Sequence, residues 1–151
     1  MTDSEQACRP EDPYDLSRFT RAQEDSYAQA VSEIRSGRKR THWMWYIFPQ
    51  LAGLGVSQTA QRYAIKSVEE AQAYLRHPVL GARLLECAES ALRVEDRTAI
   101  AIFGEPDDLK LRSCATLFAS VSDPDSVFDR LLQKFYGGVR DPKTLQLLGH
   151  P

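Results

Sequence analysis

The residues best suited to chemistry lie in one nine-residue segment, His42 to Gln50, with the sequence HWMWYIFPQ. It holds both tryptophans of the chain, and a histidine and a glutamine stand at its ends. Two interpretations are open. The segment is either a core helix, which is the commoner role of an aromatic stripe, or one wall of a ligand pocket. As a pocket wall, Trp43 and Trp45 would stack on a planar ring, and His42 and Gln50 would provide polar contacts or proton transfer.

A glycine-bearing loop follows the aromatic segment. Gly53 and Gly55 allow a ligand to approach the backbone closely. Ser57 suits the start of a short helix, whose free N–H groups can receive phosphate. No strand precedes the loop and no P-loop pattern is present, so an ordinary flexible loop explains these residues equally well. The ligand hypothesis assigns Gly53, Gly55 and Ser57 to phosphate binding.

Basic residues stand just before the aromatic segment, at Arg35, Arg38, Lys39 and Arg40. Such a run is usually a solvated surface. Beside an aromatic wall it also suits a phosphate or acidic ligand, and we assign Lys39 to ligand binding. Base stacking next to arginines would fit single-stranded nucleic acid too. The net charge of -2 makes nucleic acid the less favoured partner.

A second polar stretch covers residues 102–118. Asp107 and Asp108 fit the start of a helix, where carboxylates complement the positive end of the helix dipole. Lys110 follows within the same turn. The hypothesis assigns Asp108 and Lys110, together with His42, to catalysis.

Covalent catalysis and metal binding have weaker support. Ser113 or Cys114 would need a base within reach, and no nucleophile-elbow pattern accompanies them. Cys114 fits better as a small core residue. The three cysteines are far apart with no Cys-x-x-Cys pair, and no histidine has a partner at metal-ligand spacing. The sequence therefore predicts no metal site and implies no cofactor.

Composition and length indicate one globular domain. The 151 residues are 42% hydrophobic and 26% charged. No apolar run of about 18 residues is present, and the acidic N-terminal sequence is unlike a secretory signal. We therefore expect no membrane association and a cytoplasmic location. Residues 1–13 are predicted to be a flexible tail, and residues 14–151 a single α-helical domain.

Apolar residues recur at helical spacing along most of the chain, with helix-start signals at Ser67, Ser126 and Asp141. Residues 98–104, TAIAIFG, fit either a helix or a short strand. The prediction is a mainly α fold, a single compact multi-helical domain with little or no β structure. The aromatic segment is apolar on all faces and is expected at its centre. We expect Trp45 to be more buried than Trp43.

The pattern Gly37-x-Lys39-x-x-His42-Trp43-Met44-Trp45-x-Ile47-Phe48-Pro49-Gln50 resembles a bacterial family of small domains of unknown function, often labelled "calpastatin". The resemblance covers about residues 14–148 and includes further motifs: Gly53-Leu54-Gly55, Tyr63, His77-Pro78-x-Leu80-Gly81, Ile102-Phe103-Gly104, Asp108-x-Lys110-Leu111 and Thr116-Leu117-Phe118. Calpastatin itself is an inhibitor built from disordered repeats. This chain has a compact domain's composition and no repeat, so the label does not fit it.

Lys134-Phe135 and the later Leu145-x-x-Leu148 are similar to the NADAR superfamily, small α-rich domains associated with NAD and ADP-ribose metabolism. This resemblance implies an aromatic pocket for a nucleotide sugar and cleavage of an N-glycosidic bond. Such cleavage needs a carboxylate near the anomeric carbon. Glu33, Asp107 and Asp108 are the candidates.

The functional prediction is a cytosolic domain that binds a small phosphorylated nucleotide or an ADP-ribose-like ligand, with N-glycosidic hydrolysis as its catalytic extension. The alternative is a non-catalytic protein-interaction or structural module without a small-molecule ligand, in which residues 42–50 are only core. Convergence of the His42, Gln50 and Lys110 side chains on one solvent-reachable cavity would favour the ligand hypothesis.

Overall fold

Helices form nearly all of the regular structure. The computed structural model describes residues 12–149, and its ten helices in this range are α1 (Ser17–Gln23), α2 (Tyr27–Arg35), α3 (Met44–Ile47), α4 (Gln58–Arg62), α5 (Val68–Arg76), α6 (Leu80–Arg93), α7 (Ala99–Phe103), α8 (Asp107–Ser120), α9 (Val127–Tyr136) and α10 (Pro142–Leu147). β structure between residues 12 and 149 is limited to one parallel bridge, Leu51 to Ile65. The predicted mainly α fold is confirmed.

Part of the predicted tail lies outside the described residues. Only Asp12 and Pro13 of residues 1–13 are described, and His150 also falls outside that range. Among the described helices, none is both long and apolar enough to cross a membrane.

Side-chain caps begin the helices where the sequence indicated. A side-chain oxygen accepts a hydrogen bond from the backbone N–H three residues later at Ser57, Ser67, Ser126 and Asp141. Helix α8 differs because it begins at Asp107 with Pro106 in the N-cap position. Neither Asp107 nor Asp108 caps it, and both carboxylates lie within its first turn.

Residues 98–104, which also fitted a strand, form helix α7. The Thr98 hydroxyl accepts a hydrogen bond from the backbone N–H of Ala101 at 3.0 Å. Gly104 ends the helix with a φ of +78°. Ile102 and Phe103 are buried while Ile100 is exposed, as expected when a short helix packs one face against a core.

Helix α8 lies at the centre of the packing. It packs against α9, α7 and α10, while α6 packs against α2, α5 and α9. Most residues of α8 are buried, and the largest of these are Leu111, Leu117 and Phe118. Because most side chains of α8 are buried, this helix is a central part of the single core.

The aromatic segment enters the same core. Trp43, Met44, Ile47 and Phe48 are each at most 2% exposed. The ring centroids of Trp43 and Phe103 lie 6.4 Å apart, with the rings nearly perpendicular. This edge-to-face contact joins the segment to α7 and confirms the predicted central position.

Gly81, near the start of α6, lies against the backbone of α5. A Cβ atom at this position would stand 2.1 Å from the carbonyl oxygen of Leu75 and 2.9 Å from its carbonyl carbon. We expect Gly81→Ala to lower the free energy of unfolding by about 2 kcal/mol despite the better helix propensity of alanine. Urea unfolding checks this prediction. Ala82→Ser at the exposed neighbouring position is the control, and equal stability of both variants would contradict the close packing of α5 on α6.

Candidate functional site

Glu33 on α2 holds the loop that leads into the aromatic segment. Its buried carboxylate accepts hydrogen bonds from the backbone N–H groups of Arg40 and Thr41, at 2.9 and 3.1 Å, and from the Trp43 indole at 2.9 Å. The Thr41 hydroxyl and the Gln29 amide donate to its second oxygen, at 2.8 and 3.1 Å. Burial raises the pKa of Glu33, but these hydrogen bonds outweigh burial and lower its pKa to about 2. Glu33 is therefore an ionised positioning residue.

An open cavity of about 340 Å³ lies between this loop, α3 and the turn joining α7 to α8. We name it the Trp45 cavity. Its apolar lining residues are Met44, Trp45, Phe103 and Pro106, and its polar ones are Lys39, Arg40, His42, Glu105 and Asp107. The volume falls at the lower end of the range of about 300–1,000 Å³ that is typical of ligand sites. An aromatic face beside convergent charges suits a small polar ligand.

Asp107 lies between two lysines at this cavity. Its carboxylate oxygens are 2.9 Å from Lys39 Nζ and 3.6 Å from Lys110 Nζ. Lys110 Nζ also stands 5.3 Å from the centre of the Trp45 ring. Lys39 is held more firmly, because Nζ donates a hydrogen bond to the Thr41 carbonyl at 2.6 Å and the side chain is 6% exposed. Lys110, with 27% of its side chain exposed, is the more accessible of the two cations.

The structure thus brings four of the sequence-assigned residues together. Lys39, His42 and Trp45 line the cavity. Lys110 joins them at its edge through its contacts with Asp107 and the Trp45 ring. They come from two parts of the sequence, the loop with α3 and the first turn of α8.

The expected burial of the two tryptophans is wrong. Trp43 is 1% exposed and Trp45 is only partly buried. The reason is the hydrogen bond from the Trp43 indole to Glu33, which fixes that ring inside the core. Trp43 therefore lies beneath the site, with Lys39 Nζ 5.0 Å from its ring centre, and Trp45 presents the aromatic face.

Gln50 and Asp108 lie apart from the cavity lining. The backbone carbonyl of Gln50 accepts a hydrogen bond from the N–H of Ile65 at 2.8 Å, next to the β bridge. Asp108 is 6% exposed, and its carbonyl accepts a hydrogen bond from the Tyr136 hydroxyl. Successive helix positions point about 100° apart, so Asp107 faces the cavity and its neighbour does not.

The residues assigned to phosphate binding are not among those that line the Trp45 cavity. Gly53 has a φ of +103° and packs against Leu147, which would be 3.3 Å from a Cβ there. A Cβ at Gly55 would stand 2.5 Å from that of Ala60. Ser57 accepts a hydrogen bond from the Ala60 N–H at the start of a five-residue helix. Close packing of the loop against its neighbours accounts for both glycines.

Neither candidate nucleophile is accessible. The Ser113 hydroxyl donates to the Leu109 carbonyl at 3.2 Å, and Cys114 is 1% exposed. Burial raises the pKa of the Cys114 thiol well above its ordinary value. Cys114 is the core residue that the sequence indicated. Within residues 12–149, no group of three or more His, Cys, Asp and Glu residues is placed to hold a metal ion.

The basic run before the aromatic segment does not form one continuous surface. Arg35 pairs with Glu86 at 2.7 Å, while Lys39 points inward to Asp107. Arg40 lines the cavity. These basic side chains therefore serve different contacts.

Sequence reasoning missed the role of the turn between α7 and α8. Phe103, Glu105 and Pro106 line the cavity, and Asp107 links its lysines. The available signal was the spacing of Asp107 and Lys110, three residues apart on a predicted helix, which favours an ion pair.

Comparison with known proteins places this site in a family context. The sequence model of one family, described as "Protein of unknown function (DUF1810)", matches residues 13–148. The chain belongs to this family. The DUF1810 match covers the ten described helices and all residues lining the Trp45 cavity. The predicted resemblance to a family of unknown function is thereby confirmed.

A solved structure supports the same fold. The conserved hypothetical protein Rv1873 from Mycobacterium tuberculosis is 54% identical, with a TM-score of 0.90. The similarity covers 93% of this chain and 100% of that chain. No curated protein matches the sequence.

Proposed function

We propose that this DUF1810 domain binds a small phosphorylated nucleotide in the Trp45 cavity. The observation that carries the proposal is the convergence of Trp45, His42 and Lys39 on one open cavity, with Lys110 beside it against the Trp45 ring and Asp107. The base stacks on the Trp45 ring, and Lys110 and Arg40 receive the phosphate. Stacking a base on an aromatic side chain contributes about 1–3 kcal/mol, and a charged hydrogen bond to phosphate adds to it.

The charge arrangement supports an anionic ligand. Asp107 already contacts Lys39 at 2.9 Å, while Lys110 is 0.7 Å farther away and more exposed. Lys110 can therefore turn toward a phosphate while Asp107 keeps its pair with Lys39. Arg40, exposed at the same cavity, adds a guanidinium group whose forked N–H donors match phosphate oxygens.

The size of the cavity favours one nucleotide unit. At about 340 Å³, it lies near the lower limit for small-molecule sites. An ADP-ribose-like ligand or NAD would place one nucleotide against Trp45 and extend its second half beyond the cavity. A mononucleotide is therefore the simplest probe.

N-glycosidic hydrolysis is the catalytic extension of this proposal, consistent with the NADAR resemblance. A carboxylate lining the cavity, Asp107 or Glu105, would take a proton from water as its oxygen attacks the anomeric carbon. The bond from that carbon to the base nitrogen breaks, and His42 returns a proton to the leaving base. Asp108, the carboxylate first assigned, lies outside the cavity lining, which favours its neighbour for this step.

Thermal shift tests ligand binding. AMP, ADP-ribose and NAD at about 100 times their dissociation constants would each add roughly 2.7 kcal/mol, which is about 5–10 °C in Tm. We expect Trp45→Ala to weaken AMP binding by about 5- to 150-fold and to reduce the shift, while Trp45→Phe retains most of it. Lys110→Ala should also reduce the shift, since it removes a phosphate contact, and the exposed Lys143→Ala is its charge control. A folded His42→Ala that also loses the shift would place the histidine in the binding site.

The alternative, a non-catalytic interaction or structural module, makes the opposite prediction. The buried side chains of Trp43, Met44, Ile47 and Phe48 show that much of the aromatic segment is core, as that alternative requires. No nucleotide would then stabilise the wild-type protein, and Trp45→Ala would change only its basal stability.

A further inference from the structure

A second cavity, of about 520 Å³, lies where α1, the end of α4 and the start of α5 meet. We name it the basic cavity. Its ionisable lining includes four basic and two acidic side chains: Arg18, Arg21, Arg62, Lys66, Asp15 and Glu70. It shares no lining residue with the Trp45 cavity.

One buried ion pair forms part of its wall. Arg18 and Glu70 contact each other at 2.7 Å, with side chains 7% and 3% exposed. The remaining hydrogen-bonding groups of Arg18 donate to backbone carbonyls of the surrounding segments. The pair is therefore held rigidly, and its two charges neutralise each other. The charge available to a ligand comes from the other ionisable side chains of the cavity.

Those other charges are mainly positive. Arg21, Arg62 and Lys66 are exposed, and none forms an ion pair with an acidic side chain within residues 12–149. Among the described residues of the lining, Asp15 is the one remaining carboxylate. The Arg62 guanidinium lies 5.6 Å from the centre of the Tyr63 ring, a contact that favours its position at the cavity edge.

We propose that the basic cavity is a second binding site, for a small, multiply charged phosphate compound such as pyrophosphate. Guanidinium groups bind phosphate oxygens through two parallel hydrogen bonds, and Lys66 supplies a compact third charge. The cavity is concave and the chain carries a net charge of -2, which favours a small anion over a nucleic acid.

Isothermal titration with sodium pyrophosphate tests this site. We expect one binding event in the wild-type protein and about tenfold weaker binding in Arg62→Ala and in Lys66→Ala. Arg93→Ala removes the same charge from an exposed position on α6 and is the matched control, with unchanged affinity expected. Lys110→Ala, which removes a phosphate contact proposed for the Trp45 cavity, should also leave pyrophosphate binding unchanged, and this separates the present proposal from the nucleotide proposal.

Three results would overturn the proposal: no pyrophosphate binding by the wild-type protein, equal losses in Arg93→Ala and Arg62→Ala, or a loss in Lys110→Ala alone. A short single-stranded oligonucleotide provides a further comparison. If it binds more tightly than pyrophosphate and loses affinity in the same two variants, the cavity belongs to a nucleic-acid surface and the assignment to a small phosphate compound is wrong.

Discussion

Glu33→Ala is expected to lower the free energy of unfolding by about 4 kcal/mol. The substitution removes the acceptor for the buried Trp43 indole and for two backbone N–H groups of the loop. Each buried donor left without a partner costs roughly 1–3 kcal/mol, and partial access of water limits the total. Glu33→Gln keeps a carbonyl oxygen for these donors but lacks the charge, and should lose about 3 kcal/mol. Urea unfolding measures both, with exposed Glu95→Ala as the control.

The pH dependence of stability gives an independent check on Glu33. Its pKa falls from an ordinary 4.5 to about 2 in the folded protein, so its contribution is fully present above about pH 5. That contribution is on the order of 3 kcal/mol and is lost as the pH falls from about 5 to 2. The stability difference between wild type and Glu33→Gln should therefore shrink over this window. A difference that stays constant from pH 7 to pH 3 would contradict the assigned role.

Arg18→Met is expected to lower the free energy of unfolding by a similar amount, about 4 kcal/mol. The guanidinium makes five hydrogen bonds at 2.7–2.9 Å, with acceptors Tyr14 O, Asp15 O, Arg62 O, Ala64 O and Glu70 Oε2. Removing it leaves the Glu70 charge buried without its partner, a change that typically costs 3–5 kcal/mol. Arg18→Lys retains the charge but not the forked donors, so its free energy of unfolding should lie between those of wild type and Arg18→Met.

A double-mutant cycle separates the ion pair from the carbonyl contacts. Glu70→Gln in the Arg18→Met background removes the buried charge, so the double variant should be more stable than the two single losses together predict. Strict additivity of the two losses would show that the pair has no coupling of its own. Circular dichroism in urea measures the three variants under one set of conditions.

Local signals in the sequence predict most of the helices. Ser67 and Ser126 mark helix starts because their side chains accept hydrogen bonds from the first turn, a contact that depends only on neighbouring residues. The sequence of residues 98–104 is ambiguous, because so short an apolar run fits both the helical repeat and the strand repeat. Its helical form is settled by Thr98 at one end and Gly104 at the other.

The site was predictable in part, and the errors come from contacts distant in sequence. Trp43 is the more buried tryptophan because its indole N–H donates a hydrogen bond to Glu33. Glu33 lies ten positions earlier in the sequence and on another helix, so the contact is not visible in the local pattern. Gly53 packs on Leu147, from the far end of the chain, which no local pattern can show. The choice between Asp107 and Asp108 depends on where α8 begins, and a shift of one residue turns a side chain by about 100°.

Titration of AMP into the isotopically labelled protein, followed by ¹H–¹⁵N NMR, tests the nucleotide proposal most directly. The two tryptophan indole N–H signals act as matched reporters, since the Trp43 indole is hydrogen-bonded to Glu33 in the core and Trp45 faces the cavity. We predict a saturable shift of the Trp45 indole signal and of backbone signals in residues 39–45 and 103–110, with the Trp43 indole signal nearly unchanged. Saturable binding that leaves the Trp45 signal in place, or no binding at all, would contradict the proposal.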